Sequence, residues 1–297
     1  LGDVYKRQVL HSAKLLSEAV QIDTTVYDNI SDTDDWAEYW DSIFSPFADW
    51  IQTSFPHMHD TASPVRRELV NKHGLLYTWP GSDPTLKPIV LMSHQDVVPV
   101  ANETLDQWIH PPFSGHIDIE NQTVWGRGSV DCKLWLVSTI SAVETLVKSD
   151  FKPKRTIILS IGHDEESDGK HGAQHLSAEL EKRFGRGGIG MIVDEGTPLL
   201  SSADPGSYGV PIAVPAVAER GAMNMKITIT SRGGHSSMPP PHTSIGIMSL
   251  IIAKLEAHPF PDVLGDESSA SIRQLQCVRD GPYMPCLLYT SDAADER

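Results

Sequence analysis

Pro88-Ile89-Val90-Leu91-Met92-Ser93-His94-Gln95-Asp96 is the stretch on which the fold turns: an apolar run that ends on two metal-competent side chains. Its shortness and its lack of polar alternation predict a strand buried on both faces, as in a sheet covered by helices. Two runs downstream have the same texture, Thr156-Ile157-Ile158-Leu159-Ser160-Ile161 and Met191-Ile192-Val193. Helical spacing lies between them, over Leu134–Val147 and His171–Phe184. Strands alternating with helices predict an α/β fold with a sheet covered on both faces, whose site forms beyond the carboxyl ends of its strands.

Working upstream, Val9 to about Leu76 reads as helical, because Ala13–Val20 and Trp36–Ile51 repeat apolar and aromatic residues at helical spacing. Leu1–Gln8 and Cys286–Arg297 do not continue the pattern beside them and are set apart from the fold as non-native tails. Working downstream, the texture changes near Pro215. Met223–Thr230 alternates apolar and polar residues, which predicts a strand with one wet face, and Thr243–Ala257 reads as an amphipathic helix. The expected organisation is a catalytic domain over 9–214 and the beginning of a smaller α+β domain over 215–285, between tails at 1–8 and 286–297.

Composition narrows the function. A chain of 297 residues with 40% hydrophobic content can bury a sizeable core. A formal net charge of -15, with no basic block to offset it, would repel a phosphate backbone and argues against nucleic-acid binding. No apolar run reaches the roughly 18 residues of a membrane span. Three cysteines, Cys132, Cys277 and Cys286, are too scattered for a disulfide framework or a C-x-x-C site. Three of the five asparagines, Asn29, Asn102 and Asn121, stand in N-x-[ST] sequons where chance gives about one, which points to the secretory route.

Acids and histidines fall where the strands end. His94 and Asp96 point the same way from alternate positions, so the carboxylate can back the imidazole or join it at a metal. Asp131 follows Trp125-Gly126-Arg127-Gly128-Ser129-Val130, whose glycines shape a tight loop but lack the rest of a P-loop. His163-Asp164-Glu165-Glu166 concentrates like charge that a cation would relieve. Asp194-Glu195 repeats the idea after the third run. Taken singly, these are a strand-end turn, a helix N-cap and a solvated acidic loop. Together they fit one site for a hard or borderline metal, with imidazole and carboxylate ligands and Cys132 as a rival.

The ordered motifs Ser93-His94-Gln95-Asp96, Trp125–Asp131, Gly162–Glu166, Val193–Gly196 and Arg232-Gly233-Gly234-His235-Ser236-Ser237-Met238-Pro239 resemble the aminoacylase and carboxypeptidase family of two-zinc hydrolases. Within it the likeness is to fungal vacuolar carboxypeptidases that cleave Gly-X peptides, and to relatives that hydrolyse or condense N-acyl amino acids. The resemblance implies a zinc-exopeptidase-like mixed sheet with an inserted smaller lid or dimerisation domain. It implies two zinc ions, replaceable by cobalt, with Asp131 bridging them, His94 and Asp194 on one and Glu166 on the other. It makes Asp96 the residue that orients His94, Glu165 the general base, and His235 the group that stabilises the developing oxyanion. It also implies a cis bond between Asp131 and Cys132, where Cys departs from the usual Asp or Met.

The reaction so implied is hydrolysis of the amide bond of a peptide or N-acyl amino acid carrying a free carboxylate, in a vacuole-like or extracellular lumen. A homodimer through the smaller domain and a membrane anchor upstream would accompany it. The second zinc's histidine would lie past Arg297, so the stretch alone is expected to be inactive. Two alternatives stand beside this reading: an aminoacylase or N-fatty-acyl amino acid hydrolase/synthase of the same fold, and a catalytically silent binding domain.

Overall fold

The computed structural model describes residues 2–27, 37–196, 201–203, 225–235, 237–261 and 269–279, together with positions 199, 211, 213, 216, 217 and 223. The chain divides into two compact units, Leu1–Glu195 and Gly196–Arg297. The expected boundary at 214/215 therefore falls within the second unit.

The first unit begins with helices α1 (Gly2–Gln21), α2 (Ala37–Ser54) and α3 (Pro56–His59). Helix α1 runs back to Gly2, so the loss of apolar spacing before Val9 does not end it. Strands β1 (Arg66–Val70) and β2 (Gly74–Trp79) follow. They correct the helical reading of this region: the chain reverses at Asn71 and Lys72, with φ of 47° and 70°. Such values suit a tight hairpin turn and not a helix. The misreading has a physical cause. β2 is almost wholly buried, and an apolar run covered on both faces has no period of two to betray a strand.

β3 (Ile89–His94), the small hairpin β4 (His116–Asp118) and β5 (Thr123–Trp125), α4 (Lys133–Lys148), β6 (Ile157–Gly162), α5 (Ala173–Phe184) and β7 (Met191–Val193) complete the unit. The main sheet has the order β1-β2-β6-β3-β7 and is mixed: β6, β3 and β7 are parallel, whereas β2 runs against both β1 and β6.

Alternation along the strands sorts the core into two layers. Leu75, Tyr77 and Trp79 of β2, with Leu159 and Ile161 of β6, pack with Phe47 of α2 and with Leu136 and Ile140 of α4. Leu76, Val90 and Ile158 face the other way onto Leu176 of α5. The sheet is thus covered on both faces. β7 departs from expectation: Met191, Ile192 and Val193 are exposed, because this strand lies at the sheet edge and pairs only with β3 among the described residues.

In the second unit, helix α6 (Ser244–Glu256) matches the expected helix and is capped by Thr243, whose hydroxyl accepts from Gly246 N at 3.0 Å. Helix α7 spans Ala270–Arg279. The strand expected over 223–230 is not seen among the described residues: 225–230 belong to no helix or strand there. Period-two alternation specifies a strand only when a neighbour completes its hydrogen bonds.

Candidate metal centre

The parallel register places the site. His94 pairs with Gly162 at the carboxyl end of β6, and Leu91 pairs with Val193 at the end of β7. The segments that leave these three strands therefore emerge at one edge, as the switch-point rule requires.

His94 is the hub. It is 2% exposed, and its Nδ1 lies 2.9 Å from the backbone carbonyl of Asp96 and 3.3 Å from that residue's carboxylate. Asp96 thus steadies the ring first through its main chain. Its buried carboxylate also accepts from Glu166 N at 3.0 Å, tying the loop after β6 to the end of β3.

The other imidazole nitrogen faces the acids. Nε2 of His94 is 3.1 Å from Asp131, 3.5 Å from Glu195 and 3.9 Å from Glu165. Potential ligand atoms of His94, Asp131, Cys132 and Glu195 lie within 4.8 Å of one another, and so do those of His94, Glu165 and Glu166. His94 belongs to both groups. Five side chains expected to share the site, His94, Asp96, Asp131, Glu165 and Glu166, are brought together.

Asp194 is not in either group. It is exposed and its Oδ1 accepts from Glu195 N at 2.9 Å, while Glu195 reaches the hub. Successive residues leaving a strand point to opposite sides, so one of an adjacent acidic pair faces in and the other out. That alternation from β7 was the available signal for Glu195.

The loop that presents Asp131 needs its glycines. Gly128 has φ +80°, and a Cβ there would meet Val97 Cγ1 at 2.5 Å. Asp131 is not the cap of α4; Cys132 occupies that position, after a cis bond between the two. Beside the site, Asp164 is fully buried and accepts from the backbone of His171 at 2.6 Å and of Gly172 at 2.7 Å, which fixes the loop after β6.

Charge confirms the crowding. Burial, then Asp131, pushes Glu166 up to about 7, and burial likewise lifts Glu165 above the usual carboxylate range. The hydrogen bond from His94 holds Glu195 below it. Burial alone would discharge His94, but contacts with Asp96, Cys132 and Glu195 outweigh it and favour the imidazolium. One cation among several carboxylates stabilises them only in part. A donor set of one imidazole nitrogen and several carboxylate oxygens, with ligand atoms within 4.8 Å of one another, fits a divalent ion.

His235 lies in the second unit, exposed, with Nδ1 2.7 Å from Ser237 Oγ and accepting from Ser237 N at 3.2 Å. Of the sequon asparagines, Asn102 and Asn121 are exposed and Asn29 lies outside the described residues.

Comparison with known proteins agrees with this chemistry. The sequence profile of Peptidase family M20/M25/M40 matches residues 90–279. Carboxypeptidase S of Saccharomyces cerevisiae is 46% identical over 249 residues, covering 84% of this chain and 42% of that protein. The N-fatty-acyl-amino acid synthase/hydrolase PM20D1 of Homo sapiens is 36% identical over 280 residues, 94% of this chain and 52% of that protein. The chain thus spans about half the length of these relatives or less. Among solved structures, human carnosine dipeptidase 1 aligns with a TM-score of 0.49 at 20% identity, over 66% of this chain and 41% of that one.

Proposed function

Because the chain belongs to peptidase family M20/M25/M40, we propose that the whole protein is a two-zinc carboxypeptidase that cleaves the amide bond of peptides or N-acyl amino acids bearing a free carboxylate. The observation that carries this reading is the double grouping around His94, with Asp131, Cys132 and Glu195 in one group and Glu165 and Glu166 in the other.

In this proposal Asp131, which the structure groups with His94, Cys132 and Glu195 but not with Glu166, would be shared between the two ions on the strength of its motif; His94 would hold one ion and Glu166 the other. Asp194 is the acid the motif assigns to the His94 ion, and Glu195, 3.5 Å from His94 Nε2, is proposed beside it on grounds of reach. Bound zinc, or cobalt in its place, would polarise the scissile carbonyl and acidify the attacking water. Glu165 takes the water's proton and passes it to the leaving amine. Asp96 holds the His94 ring in place from behind. The oxyanion role of His235 is carried as a proposal on its motif alone.

The relative that joins and hydrolyses N-fatty-acyl amino acids keeps a second substrate class open, since its similarity extends over 94% of this chain. The three sequons support a secretory-route lumen, vacuole-like or extracellular, as the working compartment. Pairing through the second unit and an anchor upstream belong to the same proposal; no described helix is long and apolar enough to cross a membrane.

The test is a comparison of blocked Gly-X dipeptides with N-fatty-acyl amino acids on the full-length protein, with and without chelator. Chelator-sensitive release of the carboxyl-terminal residue is expected. Turnover that survives complete metal removal overturns the proposal.

A further inference from the structure

Lys133, the first residue of α4, is fully buried, and no step of the proposed reaction uses it. Lysine is almost never buried without partners that account for it. Its backbone nitrogen donates to Gly128 O at 3.1 Å, which closes the loop that presents Asp131. Its side chain runs to the carboxyl end of α1. There Nζ donates to Ala19 O at 3.0 Å and to Ile22 O at 2.7 Å, and lies 5.0 Å from the centroid of the Phe47 ring. Ala19 stands in the last turn of α1, where carbonyls lack their usual helical partner and the helix has no basic side chain of its own.

The chain that leaves α1 then turns to the other ligand-bearing segment. Thr24 Oγ1 donates to Gln95 O at 2.6 Å, Val97 N to Thr24 O at 3.1 Å, and Val26 N to Val97 O at 3.0 Å. Residues 22–26 thus hold Lys133 on one side and, on the other, the residues that follow His94.

We propose that Lys133 is a positioning residue of the metal centre: it fastens the Asp131 loop to the end of α1, the anchor that also holds the segment after His94, and so fixes the spacing of these two side chains. Lys133 itself touches neither metal nor substrate in this role. Its four-carbon stem spans the core, and its amine serves two carbonyls at once. Burial lowers its pKa to about 7, yet the amine has hydrogens for both carbonyls whether protonated or neutral. A methionine would fill much of the same space but supply neither bond.

This inference rests on the reading of His94 and Asp131 as ligands, and the experiment separates the two. In the full-length protein, zinc affinity is measured by competition with a chelating dye, and the visible spectrum of the cobalt-substituted form is recorded. The variants are Lys133→Met, Asp131→Ala and, as a control for lost packing, Ile140→Ala at a fully buried core position of the same helix. Lys133→Met is expected to weaken zinc about 10–100-fold and to shift the cobalt bands. Ile140→Ala should lower the melting temperature and change neither. Lys133→Gln, which keeps an N–H donor one atom shorter, should fall between the parent and the methionine variant, and it carries the test if the latter does not fold. Parent-like zinc affinity in either folded Lys133 variant, while Asp131→Ala loses its metal, overturns the positioning role alone. So does an equal loss of zinc in Ile140→Ala. Undiminished zinc in Asp131→Ala overturns the ligand reading and the proposal with it.

Discussion

The backbone nitrogen of His94 donates to the thiol of Cys132 at 3.1 Å. The residue after Asp131 thereby fastens the loop of one candidate ligand to the strand that carries another. The thiol is fully buried, and burial pushes its pKa up, so it serves as a neutral clamp.

Cys132→Ala should therefore loosen His94 and Asp131 together. Leaving that buried N–H unpaired costs about 1–3 kcal/mol. Urea unfolding reads the stability loss, and zinc titration should weaken in parallel. Cys132→Ser keeps an acceptor and should recover part of both. Unchanged zinc binding in the alanine variant would show that the clamp positions nothing.

Glu195→Gln should lower metal affinity by at least about tenfold, whereas the neighbouring Asp194→Asn should change it little. The comparison is made by competition with a chelating dye. Equal losses would mean that both acids of the pair reach the ions.

If Glu165 moves a proton and holds no ion, as proposed, Glu165→Gln in the full-length protein should keep its metal and lose about 10²–10⁴-fold in turnover. Asp131→Ala should release both ions. Metal content measured beside the rate distinguishes the two roles, and loss of metal in the glutamine variant would make Glu165 a ligand.

Acid should destabilise the first unit through His163. The ring is fully buried against Trp40 and Phe44, with centroids 5.2 and 5.3 Å away. Burial, then the nearby His73, brings its pKa down from 6.5 to about 3. Between those values the unfolded chain binds the extra proton, so stability rises with pH. The contribution is intact above 6.5 and is lost as pH falls toward about 3, amounting to about 2 kcal/mol by about pH 5. Thermal melts from neutral to mildly acid pH should fall less steeply for His163→Phe than for the parent. Parallel curves would sink the assignment.

Much of this was legible in the residues themselves. The runs at 89–93, 157–161 and 191–193 are short and apolar, and each is followed by acids or histidine, which predicts both a covered sheet and a site at its carboxyl edge. The helices at 134–147 and 171–184 carry a periodic apolar face and were equally plain. Local sequence determines these features because periodicity and strand length act over a few neighbours.

Other features depend on distant partners. The β1–β2 hairpin was hidden because β2 is buried on both sides, by α4 and α2 on one and α5 on the other, which erases its alternation. Among the described residues, strand order placed β7 at the edge of the sheet with its side chains exposed, which its apolar composition could not foretell. Asp194 and Glu195 are chemically near-equivalent in the sequence. The direction in which the chain leaves β7 sets which of them lies nearer His94, because a single-residue step turns a side chain to the opposite side, and Glu195 comes to 3.5 Å from the His94 ring.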